Sequence, residues 1–180
     1  MSWALSFKAN EKLYLRDPQD SDLGRRILRT GMELMHALGL EDFTMKKLAL
    51  ALQTNESSLY RYFESKNRLL QYYFEWYWRW LDSQVYILTQ NVESPRKRLD
   101  IVIEVITAQR KAAPIEEYWV QNNLLRNLIV KDGDKAYLTS RVDEDNQHQL
   151  FRPYKELCGK IAAMLSELEP AYPFPRSLAS

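Results

Sequence analysis

Between Ser21 and Gly39 the apolar residues Ile27, Leu28, Leu34, Met35 and Leu38 return at intervals that place them on one helical face. Ser21 suits the cap of that helix, and Gly39 suits the left-handed position that ends one. Thr44 opens a second, short helix with Leu48, Ala49 and Leu52 on one side. After the break Gln53-Thr54-Asn55, a third helix over residues 56–63 buries Leu59 and Phe63 and is too short to stand alone. Ser65 caps a fourth that runs without a breaker to about Asn91, roughly 39 Å at ~1.5 Å per residue. Its Tyr72, Tyr73, Phe74, Trp76, Tyr77, Trp78, Trp80 and Leu81 surround the axis, the pattern of a helix packed on several sides.

Later stripes predict three more helices. Leu99, Val102, Ile103 and Ile106 follow Pro95, where the linker ends. Ile115, Tyr118, Trp119, Leu125, Leu128 and Ile129 follow Pro114 and stop near Asp132-Gly133. Leu157, Cys158, Ile161, Ala162, Leu165 and Leu168 run up to Pro170. The stretch 136–152 fits no single template, and Pro153 either kinks or starts the last of these helices.

Composition supports an all-α chain. Apolar residues make up 46% of the 180, with 5 glycines and 7 prolines, too much core material for disorder and too little turn material for a β fold. Lys and Arg number 25 against 24 Asp and Glu, so any surface for a polyanion must be local. Cys158 is the only cysteine, which excludes an internal disulfide framework. The apolar run from Trp3 to Phe7 is too short to cross a bilayer, so a cytoplasmic protein with no membrane partner is expected. No glycine-rich phosphate loop, nucleophile elbow or His-rich motif is present; neither an enzyme nor a cofactor is expected.

The informative constellation is three short helices, with about three residues between the second and third, followed by a long aromatic helix. This is the pattern of a helix-turn-helix joined to a helical bundle. In such a unit the second helix meets the DNA backbone and the third offers its first residues to base edges in the major groove. Thr54, Asn55, Glu56, Ser57 and Ser58 cluster at that start, followed by Tyr60, Arg61 and Tyr62. Between Thr44 and Arg68 stand Lys46, Lys47, Arg61, Lys66 and Arg68 against Glu56 and Glu64, a local surplus of three positive charges.

Over residues 23–70 the chain resembles the TetR/AcrR family of bacterial repressors. The resemblance is carried by Ile27-Leu28, Leu34, Gly39-Leu40, Phe43-Thr44, Lys47-Leu48-Ala49, Leu52, Ser57 to Phe63, Ser65-Lys66 and Leu69-Leu70. It implies that Thr44, Ser58, Tyr60, Tyr62 and Lys66 hold phosphates and that Asn55, Glu56, Ser57 and Arg61 read bases. Gln53 stands where the family favours glycine, so a left-handed residue there is strained. Glu56 brings an anion into the groove of a polyanion, acceptable where it takes a cytosine amine or pairs with Arg61. The organisation implied is an extension over 1–20, a DNA-binding domain over 21–66, and an effector-binding and dimerisation domain over 67–180. The function implied is a homodimeric repressor on a palindromic double-stranded operator, released by a small molecule.

Outside that region the bland readings weigh more. Packing explains the aromatic run; were it to hold a ligand, Trp76, Trp80, Tyr118 and Trp119 would favour a flat or apolar effector, with polar contacts from Asn122, Gln109, Gln121 or Asn123. Asp143-Glu144-Asp145 with His148 reads as an exposed acidic helix start, not a metal cluster, and Cys158 as a buried hydrophobe. Lys8, Lys12 and Arg16 form a stripe on a helix or arm alongside DNA. Leu157, Ile161, Leu165 and Leu168 offer a dimer face, with Met164 and Leu168 as an outer strip. The rival function is a helical protein-interaction module without DNA binding, which steep salt dependence would exclude.

Overall fold

The computed structural model describes residues 8–107, 122–136 and 142–180. Among them, every regular element is helical. Helix α1 (Asp22–Asp42) starts where Ser21 Oγ accepts from the Gly24 amide at 3.1 Å. Gly39 takes φ 79° as its sequence suggests, yet it kinks the helix and does not end it, so that Leu40–Asp42 form a further turn. Helix α2 (Met45–Ala51) is capped by Thr44, whose Oγ1 accepts from the Lys47 amide. Helix α3 (Glu56–Tyr60) is shorter than predicted: the Tyr62 and Phe63 amides both donate to Leu59 O, and this tight turn redirects the chain. The turn before α3 places Gln53 at φ 53°, the strained left-handed region expected for it.

Helix α4 (Lys66–Thr89) begins at Ser65, whose Oγ accepts from the Arg68 amide. Pro95 proves to be the first turn of α5 (Pro95–Ile106), capped by Ser94. Helix α6 (Asn122–Asp132) continues as a 3-10 turn over Gly133–Ala136; the helix start predicted at Pro114 lies outside the described residues. The ambiguous stretch contains α7 (Val142–Gln147). Pro153 occupies the first turn of α8 (Arg152–Leu168), and α9 (Pro175–Ala179) comes after it.

The chain divides into two compact units, Met1–Tyr77 with Ile115–Leu150, and Trp78–Pro114 with Phe151–Ser180. In the first, Ile27, Leu28, Met32 and Met35 of α1 are buried, as are Leu48, Leu59, Phe63, Leu69 and Tyr73, and Leu48, Leu69 and Tyr73 close on α1 at Gly31. The α4 residues from Arg68 to Tyr77 are all buried, as the aromatic run predicts. Tyr73 donates to Leu28 O at 2.7 Å, and burial holds its hydroxyl well above the ordinary pKa. A polar cluster crosses the same unit: Arg68 donates to Asp145 at 2.7 Å and to Gln71, while Gln71 donates to Asp145 and to Ala136 O. Asp145 is therefore 1% exposed, a buried acid paired with α4 and not part of an exposed acidic start.

The amino-terminal stripe is likewise corrected. Asn10 and Asp17 cap two 3-10 turns, Glu11–Leu13 and Pro18–Asp20, with extended backbone at Tyr14, so Lys8, Lys12 and Arg16 share no helical face. The segment is a strap. Ala9, Leu13 and Pro18 are buried, the Leu15 amide donates to Tyr62 O at 2.8 Å, Gln19 donates to the Tyr72 hydroxyl, and Arg16 lies over the Tyr62 ring. It passes so close to α1 that a Cβ on Gly24 would stand 2.2 Å from Pro18 O.

In the second unit, Val85, Leu99, Val102, Val105, Leu157 and Ala162 are buried, and the Trp78 and Tyr154 rings meet edge to face. Ion pairs join Lys160 to Asp82 and Arg98 to Glu167. Met164 is 8% exposed, closing on this core, so it offers no outer strip. Burial pushes the half-buried Cys158 thiol up, in keeping with a hydrophobe's role.

Two substitutions test the backbone argument by denaturant unfolding. Gly24→Ala forces the strap off α1 and should lower stability by about 1–3 kcal/mol. Gln53→Gly relieves the left-handed strain and should raise it by about 1 kcal/mol, whereas Gln53→Ala should give no gain.

Candidate nucleic-acid interface

The turn at Gln53 sets α2 and α3 at the sides of an open groove lined by Thr44, Lys46, Thr54, Asn55 and Glu56, together with Lys47 and Leu50. Five of the residues singled out from the sequence thus share one surface. Thr44 uses an oxygen lone pair on the Lys47 amide, which leaves its O–H able to donate outward. Lys46, Ser57, Tyr60 and Arg61 are exposed, Tyr60 by 43%. Among the described residues no ion pair joins Glu56 to Arg61, so the carboxylate at this half-buried position is not neutralised from within α3.

Four of the expected contact residues are engaged elsewhere. Asn55 Oδ1 accepts from both the Ser58 amide, at 2.8 Å, and the Ser58 hydroxyl, at 2.9 Å. Capping therefore leaves Asn55 only its amide nitrogen, and Ser58 would have to release that bond to donate to phosphate. Tyr62 is 3% exposed and shares a hydrogen bond with Ser21 Oγ, so its ring belongs to the core and the strap. Lys66 donates to Leu40 O at 2.8 Å, Phe43 O at 3.1 Å and Glu41 O at 3.3 Å, tying down the carbonyls of the corner between α1 and α2. Lys47 adds a fourth bond there, to Asp42 O. Arg68, counted in the local surplus, is neutralised by Asp145.

Sequence reasoning missed Leu50, which is 79% exposed at the groove. Its signal was present: it stands four residues after Lys46, off the face of Leu48, Ala49 and Leu52. The ligand candidates fare differently. Trp76 is fully buried in the first unit and Trp80 is 7% exposed in the second. Tyr118 and Trp119, like Gln109 and Gln121, lie outside the described residues, and Asn122 opens α6. Among the described residues no three or more His, Cys, Asp or Glu group as metal ligands, and no helix is long and apolar enough to cross a membrane.

Residues 27–73 match the family described as bacterial regulatory proteins, tetR family. The chain also resembles the solved structure of AibR in complex with isovaleryl coenzyme A and operator DNA, at 19% identity and a TM-score of 0.62 over 86% of this chain and 80% of that one. Apo AibR is similar at 17% identity and a TM-score of 0.56, over 86% and 78%. At these identities the likeness shows the fold. Comparison with curated proteins gives no match.

Two lysine substitutions separate the roles. Lys46→Ala should leave stability unchanged while weakening DNA binding and flattening its salt slope by about one unit. Lys66→Ala should lower the stability of the folded chain by about 1.5–3 kcal/mol, since it removes charged hydrogen bonds from the corner. Thermal unfolding and fluorescence anisotropy on labelled duplexes measure both.

Proposed function

We propose that this chain is a regulator of the tetR family, a cytoplasmic repressor that binds a palindromic operator as a homodimer and is released by a small-molecule effector. The observation that carries the DNA-binding part is the groove between α2 and α3, which gathers Thr44, Lys46, Thr54, Asn55 and Glu56 beside the exposed Ser57, Tyr60 and Arg61. Thr44 and Tyr60 offer hydroxyls to phosphate, and Lys46 and Arg61 supply charge. Ser57 and Arg61 reach base edges, with Glu56 accepting from a cytosine amine. Leu50 adds an apolar surface suited to a thymine methyl group.

A single α3 gives few contacts, and two of them on a two-fold axis, about 34 Å apart, supply a specific site. The second unit supports such pairing: Leu168 is 41% exposed, Phe174 63% and Leu178 61%, all on or between α8 and α9. Effector control is supported by likeness of fold to AibR, a protein solved with both isovaleryl coenzyme A and operator DNA.

The test is operator binding against salt. The logarithm of affinity should fall with the logarithm of salt concentration by about 0.9 for each phosphate neutralised; affinity that holds constant as salt rises would instead identify a protein-interaction module. In the same assay, Phe174→Glu combined with Leu178→Glu should give helical monomers in sedimentation and lower operator affinity at least tenfold. An unchanged dimer moves the interface away from α9.

A further inference from the structure

Arg126 of α6 stands among side chains withdrawn from solvent, with Leu125 and Leu128 each 1% exposed and Ile129 6%. It is itself half-buried, and its Nε is enclosed with no hydrogen-bond acceptor among the described residues. An interior donor left without an acceptor is costly, and where a folded protein keeps one, a bound ion is among the reasons that account for it. The direction of the side chain is set by its neighbours. Gly133 lies seven residues on, two turns along the same face, and a Cβ there would be 3.6 Å from Cδ2 of Phe74 on α4. Tyr77 is one turn beyond Phe74, and the charge of Arg126 eases the ionisation of its hydroxyl, which burial opposes. The Arg126 face of α6 is thus turned towards the Phe74–Tyr77 edge of α4.

We infer that Arg126 anchors an anionic group of the effector, a carboxylate or phosphoryl group received by the guanidinium fork with the Tyr77 ring beside it. The inference rests on the effector reading above and assigns its ligand a charge. A planar fork with one edge inside is suited to bidentate capture of two oxygens, and a half-buried setting strengthens the bonds. The same helix and the 3-10 turn that continues it reach the head. Lys131 Nζ is 3.6 Å from where a Cβ on Gly39 would stand, and Lys135 pairs with Glu41 at 3.3 Å, both at the corner that Lys66 holds. An anion that draws α6 towards α4 therefore acts on the corner that aims α2.

The test uses the full chain and Arg126→Met in a chloride buffer at fixed ionic strength, with inorganic phosphate and acetate as probes. Without probe, Arg126→Met should be at least as stable as wild type, with a thermal midpoint equal or about 2–4 °C higher, because a buried unmatched donor is gone. Either probe should raise the wild-type midpoint at millimolar concentration and leave the variant unmoved; the stronger of the two tells carboxylate from phosphoryl recognition. A variant that melts several degrees below wild type overturns the inference, since Arg126 then has a structural partner within the chain. Equal probe effects on both proteins overturn it also. Operator binding, measured without probe, separates the two readings: if the wild type binds and the midpoints behave otherwise, the anion site alone falls, and if the wild type does not bind, the regulator reading falls with it.

Discussion

The Lys66 ammonium, set among the carbonyls of Leu40, Glu41 and Phe43, fixes the geometry on which the head depends. Gly39 breaks α1 and leaves a run of carbonyls without helical partners, and those of the buried Leu40 and Phe43 cannot be left unmatched. One cation at the start of α4 answers three of them. It thereby joins the end of α1, the start of α2 and the first residue of α4 at a single point, and α3 hangs between the last two. A neutral donor could satisfy one carbonyl; only an ammonium, with three hydrogens and a charge, can hold the set.

Just beyond this point α4 carries a second polar device, the buried Arg68–Asp145 pair with Gln71 completing its hydrogen bonds. Such a pair adds little net stability compared with an apolar replacement, because both charges lose water. What it does supply is position, since only one placement of α7 against α4 satisfies all the oxygens. The first unit thus combines a tolerant aromatic core with two points that admit no slippage.

Much of this fold was legible in the sequence. Helix starts at Ser21, Thr44 and Ser65 were marked by residues whose oxygens do accept from first-turn amides, whereas Asn55, read as part of a break and as a base contact, proves to cap α3. The aromatic α4 announced its burial by large rings set nearly all round its axis. The groove residues were legible because a helix-turn-helix fixes their register. The errors have a common physical form: a side chain's type tells what it can bond, and its distant partners decide what it does bond. Lys66, Tyr62 and Asp145 were read as exposed groups, and the backbone of α1, the strap and Arg68 claimed them. The strap itself was misread because Lys8, Lys12 and Arg16 happen to fall four residues apart, while the capping by Asn10 and Asp17 was overlooked.

The strap over Tyr62 bears on how this protein is dissected genetically. Arg16, Leu15 and Ser21 meet Tyr62 at the very end of the segment that would lie in the groove. Alleles at these positions will score as defective in DNA binding, and a map of such alleles drawn on the head would be a composite of two populations. One, on the function proposed above, would touch the operator through Lys46, Ser57, Tyr60 and Arg61. The other never approaches it, and second-site suppressors distinguish them: mutations that strengthen packing elsewhere in the first unit will rescue the strap alleles, while the groove alleles will yield only to changes in the operator.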